Sequence, residues 1–204
     1  MKLANISYCR YLADIRYPWQ TENYEIARIV RAIKEEPFNQ SVDLKIGGVT
    51  KRLDANHPEV AVEWFVDRVV NETKFDSGEH ILVPIPDSQC TPTSTHTPRT
   101  LRIARSLAKQ IPELKIWHHL KFKKAMPKRL RDEELIFQNL VCTSKVPGGY
   151  LILLDDVCTS GAHARAAQRR LLEQGAGGDM CAMSVARTLV APETHLYGFR
   201  SDIL

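Results

Sequence analysis

Residues 150–163 read Tyr-Leu-Ile-Leu-Leu-Asp-Asp-Val-Cys-Thr-Ser-Gly-Ala-His, and this stretch decides the fold. An apolar run, Leu151 to Leu154, ends in two adjacent carboxylates, Asp155 and Asp156. Val157 and Cys158 follow, then a turn of small residues, Thr159-Ser160-Gly161, then a helix-like stretch from Ala162 to Gln174. That order predicts a buried strand, an acidic step at its C-terminal end, and a turn opening onto a helix N-terminus. The N–H groups of the turn and of the first helical turn converge on one spot and favour an anion there. Small side chains let a phosphate reach the backbone, and the two carboxylates can accept hydrogen bonds from neighbouring hydroxyls, as on a ribose. The stretch therefore predicts a sugar-phosphate site. A plain strand–turn–helix joint, its acids capping the next helix, is the competing reading. The fixed order of apolar run, paired acids, hydroxyl pair and Gly favours the site.

Working outward, the chain alternates as an α/β protein does. Glu22 to Glu35, His57 to Thr73 and Pro98 to Gln110 carry apolar residues at helical spacing. Ile81 to Ile85, Leu114 to Phe122 and Met180 to Thr188 read as strands. Gly47-Gly48 suggests a short hairpin between Leu44 and Leu53. Strands separated by helices imply one domain over residues 1–204, with a mainly parallel central sheet flanked by helices and ligands at the C-terminal strand ends. Residues 1–75 are expected to form a hood with flanking helices, and residues 80–190 the core.

The 204 residues suffice for one well-buried α/β domain. With 44% hydrophobic and 25% charged residues the chain is globular. No apolar run suits a membrane span, and no signal-peptide pattern opens the chain, so a cytoplasmic protein without a membrane partner is expected. The five cysteines lack a Cys-x-x-Cys pair, which argues against a zinc ribbon or disulfide framework and fits a reducing compartment. Cys158 reads as a small packed residue rather than a nucleophile. Seven histidines give no metal signature; His118 and His119, read within a strand, would face opposite ways. Net charge is +4, and residues 121–131 hold six basic residues and no acid, among them Lys121, Lys123, Lys124, Lys128, Arg129 and Arg131. Such a run is a solvated face or a nucleic-acid or protein contact. The loop after Pro86, from Asp87 and Ser88 to Thr97, is hydroxyl-rich, with Arg99 its nearest strong base.

The block Asp155-Asp156-Val157-Cys158-Thr159-Ser160-Gly161 resembles the motif by which type I phosphoribosyltransferases bind phosphoribosyl pyrophosphate (PRPP). Within that superfamily the chain is most similar to the ComF-like branch, linked to bacterial competence. The similarity lies in Val83-Pro84-Ile85-Pro86, Arg102 to Ala108 and Ala186-Arg187-Thr188, over roughly residues 80–190. The four-cysteine zinc element common in that branch is absent, a Thr/Ser loop replaces its Arg-Gly-Phe-Asn segment, and His163 stands where Thr or Ser is usual.

The resemblance implies a transferase of nucleotide metabolism that moves the phosphoribosyl group of PRPP to a nitrogenous base and releases pyrophosphate. It implies Asp155 and Asp156 as catalytic residues on the ribose. Thr159, Ser160, Gly161, Ala162 and His163 would hold the 5′-phosphate, and Ser88, Arg99, Lys124, Arg129 and Arg131 would meet pyrophosphate. Mg²⁺ would arrive with PRPP, held by phosphates and waters more than by protein. Homodimers are usual in the superfamily. Segment 189–204, with Tyr197 and Phe199, would select the base or pack on the hood. The alternative is a catalytically silent PRPP-binding regulatory or effector module of a DNA-uptake or phage-defence system.

Overall fold

A computed structural model describes residues 2–13, 19–128, 130–189, 193 and 196–204. Its centre is a six-stranded sheet in the order β10-β1-β9-β8-β4-β5. These strands are β1 (Ala4–Leu12), β4 (His80–Pro84), β5 (Leu114–Ile116), β8 (Tyr150–Cys158), β9 (Met180–Leu189) and β10 (Tyr197–Ile203). All neighbouring pairs are parallel except β1 with the edge strand β10. A mainly parallel sheet needs cover on both faces, and helices supply it. The helices are α1 (Thr21–Ile33), α2 (Val60–Glu72), α3 (Arg99–Gln110), α4 (Glu133–Asn139) and α5 (Ala162–Glu173).

The core divides in two, one part on each face. On one face Ile29, Trp64, Phe65 and Leu107 from α1, α2 and α3 pack with Leu82, Ile152, Leu154 and Met183 of the sheet. On the other, Ala164, Ala167 and Leu171 of α5 pack with Ile81, Val83, Leu151, Leu153 and Ala182. Alanines along α5 let its backbone approach the sheet closely. Because β8 is buried on both faces, Leu151 to Leu154 form an unbroken apolar run. Among the described residues no helix is long and apolar enough to cross a membrane.

Three expectations change. Residues 1–75 do not all form a hood, because β1 is an interior strand of the sheet. Its Asn5, Ser7 and Arg10 are buried and break the apolar pattern by which such a strand is read. Leu114 to Phe122 is not one strand. β5 stays in the main sheet, while β6 (Leu120–Phe122) leaves it and pairs with β7 (Leu140–Cys142) in a separate ribbon enclosing α4. His118 and His119 fall in the bend between β5 and β6, so their rings stack with centroids 5.0 Å apart instead of facing opposite ways. The Gly47-Gly48 hairpin forms as expected between β2 (Val42–Ile46) and β3 (Val49–Leu53), with both glycines at positive φ. β10 returns along β1 and is tied to it by Asp202, which accepts from Arg10 at 2.6 and 3.0 Å. Tyr197 lies edge-on to Trp64 and Phe199 edge-on to Tyr8.

Leu82 is fully enclosed at the centre of β4. Leu82→Ala is expected to destabilise the chain by about 2–5 kcal/mol through lost burial and an unfilled cavity, read as a lower urea midpoint.

Candidate functional site

β8 delivers the acid pair to the C-terminal edge of the sheet, and the strand continues through it to Cys158, so the acids lie within the strand rather than beyond it. Register puts Asp155 beside Ser184 of β9, and Cys158 beside Arg187. Thr159, Ser160 and Gly161 turn the chain, and α5 starts at Ala162 and His163. Gly161 makes the reversal possible: its φ of 76° is left-handed. The N–H groups of Ser160 and Gly161 form no backbone hydrogen bond among the described residues, and the first N–H groups of α5 have no intrahelical acceptor. The turn is therefore a cluster of donors at the positive end of a helix.

Two arginines hold the turn from behind. Arg187 Nη1 donates to the Thr159 carbonyl at 2.6 Å and meets Cys158 Sγ at 3.0 Å. Arg165 Nη1 donates to the Ser160 carbonyl at 2.9 Å, while its Nε pairs with Glu133 of α4 at 2.7 Å. The Thr159 and Ser160 carbonyls are taken by guanidinium groups and the Ala162 N–H donates to Ser160 Oγ at 3.3 Å, leaving the N–H groups of Ser160 and Gly161 without a backbone acceptor among the described residues. Thr159 Oγ1 lies 3.1 Å from Thr188 Oγ1 on β9. Arg165 carries no motif of its own, and the Ala186-Arg187-Thr188 stretch gives no sign that it meets the turn. Arg165 is readable only as the residue one helical turn past Gly161, and Arg187 and Thr188 only once β9 is known to lie beside β8.

The acids differ in their surroundings. Asp156 Oδ2 is engaged by Arg99, the first residue of α3, at 3.2 Å from Nε and 3.1 Å from Nη2. Arg99 Nη1 also reaches the Lys34 carbonyl at the end of α1. Burial, and next the charge of Asp156, push the Asp155 carboxyl well above the usual aspartate range. Burial pushes the His163 imidazole down, with Asp156 opposing, so at neutral pH the ring is largely uncharged. Burial, then Asp155, push the Cys158 thiol up to about 11, against the pull of Arg187. It stays a protonated packed thiol, not a nucleophile.

The other expected residues lie around this edge. Asp87 and Ser88 follow β4, the strand next to β8, and Asp87 Oδ2 holds His96 Nε2 at 2.7 Å, closing the loop on itself. The basic segment runs beside that loop. Phe122 N–H donates to the Cys90 carbonyl at 2.9 Å, and Met126 N–H to the Ser88 carbonyl at 2.8 Å. Lys121 is spent on Cys90 Sγ and Lys123 on the Gln138 carbonyl. Lys124, Lys128 and Arg131 are exposed. Arg129 lies outside the described residues. Asp155, Asp156, Arg99 and the turn thus come together, and Ser88 and the basic segment flank them.

No family model matches the sequence, and no curated protein matches it. Among solved structures, the chain is similar to adenine phosphoribosyltransferase from Saccharomyces cerevisiae, in complex with adenine and an imino-altritol bisphosphate. That likeness has 14% identity and a TM-score of 0.40 over 80% of this chain and 89% of that one. It is also similar to a purine phosphoribosyltransferase from Pyrococcus horikoshii Ot3, at 12% identity and a TM-score of 0.34 over 68% of this chain and 91% of that one. Both likenesses are distant, and what the site can do rests on the residues described above.

A Cβ on Gly161 would sit 2.9 Å from Arg165 Nη1 and 3.0 Å from a Leu204 methyl, in a left-handed backbone. Gly161→Ala is expected to cost at least about 1–2 kcal/mol from the backbone alone. Urea unfolding checks the cost, and inorganic-phosphate binding is expected to weaken with it.

Proposed function

We propose that the chain binds PRPP and transfers its phosphoribosyl group to a nitrogenous base, releasing pyrophosphate. The observation that carries the reading is the continuous path from the acid pair on β8, through the donor-rich turn, to the start of α5. Its spacing suits a phosphorylated pentose: phosphate on the turn, vicinal hydroxyls on Asp155 and Asp156. A base nitrogen attacks C1 of the sugar, the C1–N bond forms, the C1–O bond breaks, and pyrophosphate leaves with the bonding pair. The acids favour the positive charge that develops on the sugar, and the fixed donors of the turn hold the far end in line. Lys124 and Arg131 are exposed basic groups of the segment that bonds to the Asp87–Thr97 loop through Met126, and would neutralise pyrophosphate, with Ser88 at the loop's root. Among the described residues no cluster of three His, Cys, Asp or Glu side chains is placed to hold a metal. PRPP would bring Mg²⁺ with it, held by phosphates and waters more than by protein.

One observation favours a second reading, a PRPP-binding module that transfers nothing: Asp156 is already engaged by Arg99. In that version the exposed Lys124, Lys128 and Arg131 meet a nucleic-acid or protein partner in a cytoplasmic DNA-uptake or defence system. Pyrophosphate release from Mg²⁺-PRPP across a panel of purines, pyrimidines and orotate separates the two. The transferase reading expects release with at least one base, falling at least about 100-fold in Asp156→Ala, the scale of a lost charge-stabilising group. Saturable PRPP binding with no release for any base would leave the silent module.

A further inference from the structure

Among the described residues the acid pair has one ion-paired cation. Asp156 has the Arg99 guanidinium on Oδ2, itself anchored on the Lys34 carbonyl. Asp155 has no ion pair among the described residues; its Oδ1 accepts the Asp156 N–H at 2.8 Å. Beside Asp155 the register places neutral hydroxyls, Ser184 on β9 and Ser7 beyond it on β1. Both serines are fully buried, and Ser7 Oγ has no hydrogen-bond partner among the described residues. Two successive carboxylates in such a place repel strongly if both ionise, and a guanidinium on one of them decides which keeps the charge.

We propose that the pair carries a single negative charge in the free protein, on Asp156, with the proton on Asp155, and that Arg99 is the positioning residue that fixes this assignment. The other charged or titratable groups facing the pair are Lys34 at the end of α1, His163 on α5 and Cys158 on β8, with Arg165 and Arg187 acting on Cys158 behind them. Lys34 favours an ionised Asp155, but burial and the Asp156 charge outweigh it. The ligand consequence rests on the sugar-phosphate reading above. Asp155 then donates a hydrogen bond to one ribose oxygen while Asp156 accepts from the neighbouring hydroxyl. The pair reads a diol with one donor and one acceptor, and one negative charge instead of two faces the phosphate on the turn.

The sign for stability follows from where the proton is held more tightly. A raised carboxyl in the folded chain contributes stability that is full below the ordinary aspartate range and is lost as pH rises through the folded titration. Asp155→Asn removes that loss, so its Tm advantage over wild type grows with pH through that interval.

Carboxyl-carbon NMR of isotope-labelled aspartates, from about pH 4 to pH 9, tests the charge assignment directly. The expected result is one carboxyl titrating well above the other aspartates, absent in Asp155→Asn. In Arg99→Gln its titration is redistributed over both carboxyls, and Arg99→Lys restores it. An Asp155 that titrates with the other aspartates, or an elevated titration that belongs to Asp156, overturns the proposal. Calorimetry with ribose 5-phosphate forms the second arm. Affinity is expected to fall through the same pH interval in wild type and not in Asp155→Asn. If the NMR result holds but ribose 5-phosphate binds at no pH, the charge assignment stands and the sugar-phosphate reading falls.

Discussion

The ion pair between Arg99 and Asp156 joins parts of the chain that are far apart in sequence. It connects the first turn of α3 with β8, and through the Lys34 carbonyl it adds the end of α1. A carboxylate on a largely buried strand needs a cation or a proton. Asp156 has the cation; Asp155 is pushed toward the proton. Behind the pair, Arg187 and Arg165 take the carbonyls of the turn. The C-terminal edge of the sheet is thus organised by three guanidinium groups, each fixing a polar atom that would otherwise compete for a ligand.

This arrangement separates the rigid from the exposed parts of the site. The turn is held by β9, α5 and, through Arg165, by Glu133 of α4. That same α4 is bound to α5 by Arg169, which pairs with Glu134 and lies over the Phe137 ring. The ribbon of β6 and β7 is therefore anchored at its base, and Lys124, Lys128 and Arg131 beyond β6 carry exposed basic side chains.

The parts of the fold legible in the sequence were those whose signal is local. Leu151 to Leu154 announced a strand buried on both faces, Gly47-Gly48 a two-residue hairpin, and Thr159-Ser160-Gly161 the turn into α5. β1 was not legible, since Asn5, Ser7 and Arg10 read as surface residues. Their burial depends on β9 and β10, which supply Ser184 and Asp202 from the far end of the chain. The break after Ile116 was hidden for a similar reason, because β6 finds its partner only at Leu140. In the site, the acid pair and the turn were visible as a string. Arg99 was visible only as a base near the loop, and its engagement with Asp156 required the packing of α3 against β8. Arg165 had no sequence signal beyond its spacing from Gly161, and Arg187, visible in the Ala186-Arg187-Thr188 stretch, gave no sign of its bond to the turn.

The claim that β8 and its turn form a PRPP site is tested most directly by thermal unfolding with and without Mg²⁺-PRPP, in wild type and in Asp155→Asn/Asp156→Asn. A ligand at a hundred times its Kd stabilises by about 2.7 kcal/mol, which for a domain of this size raises Tm by roughly 5–10 °C. The account predicts that rise in wild type and its loss in the double variant. No rise at millimolar PRPP, or an equal rise in both proteins, would contradict it.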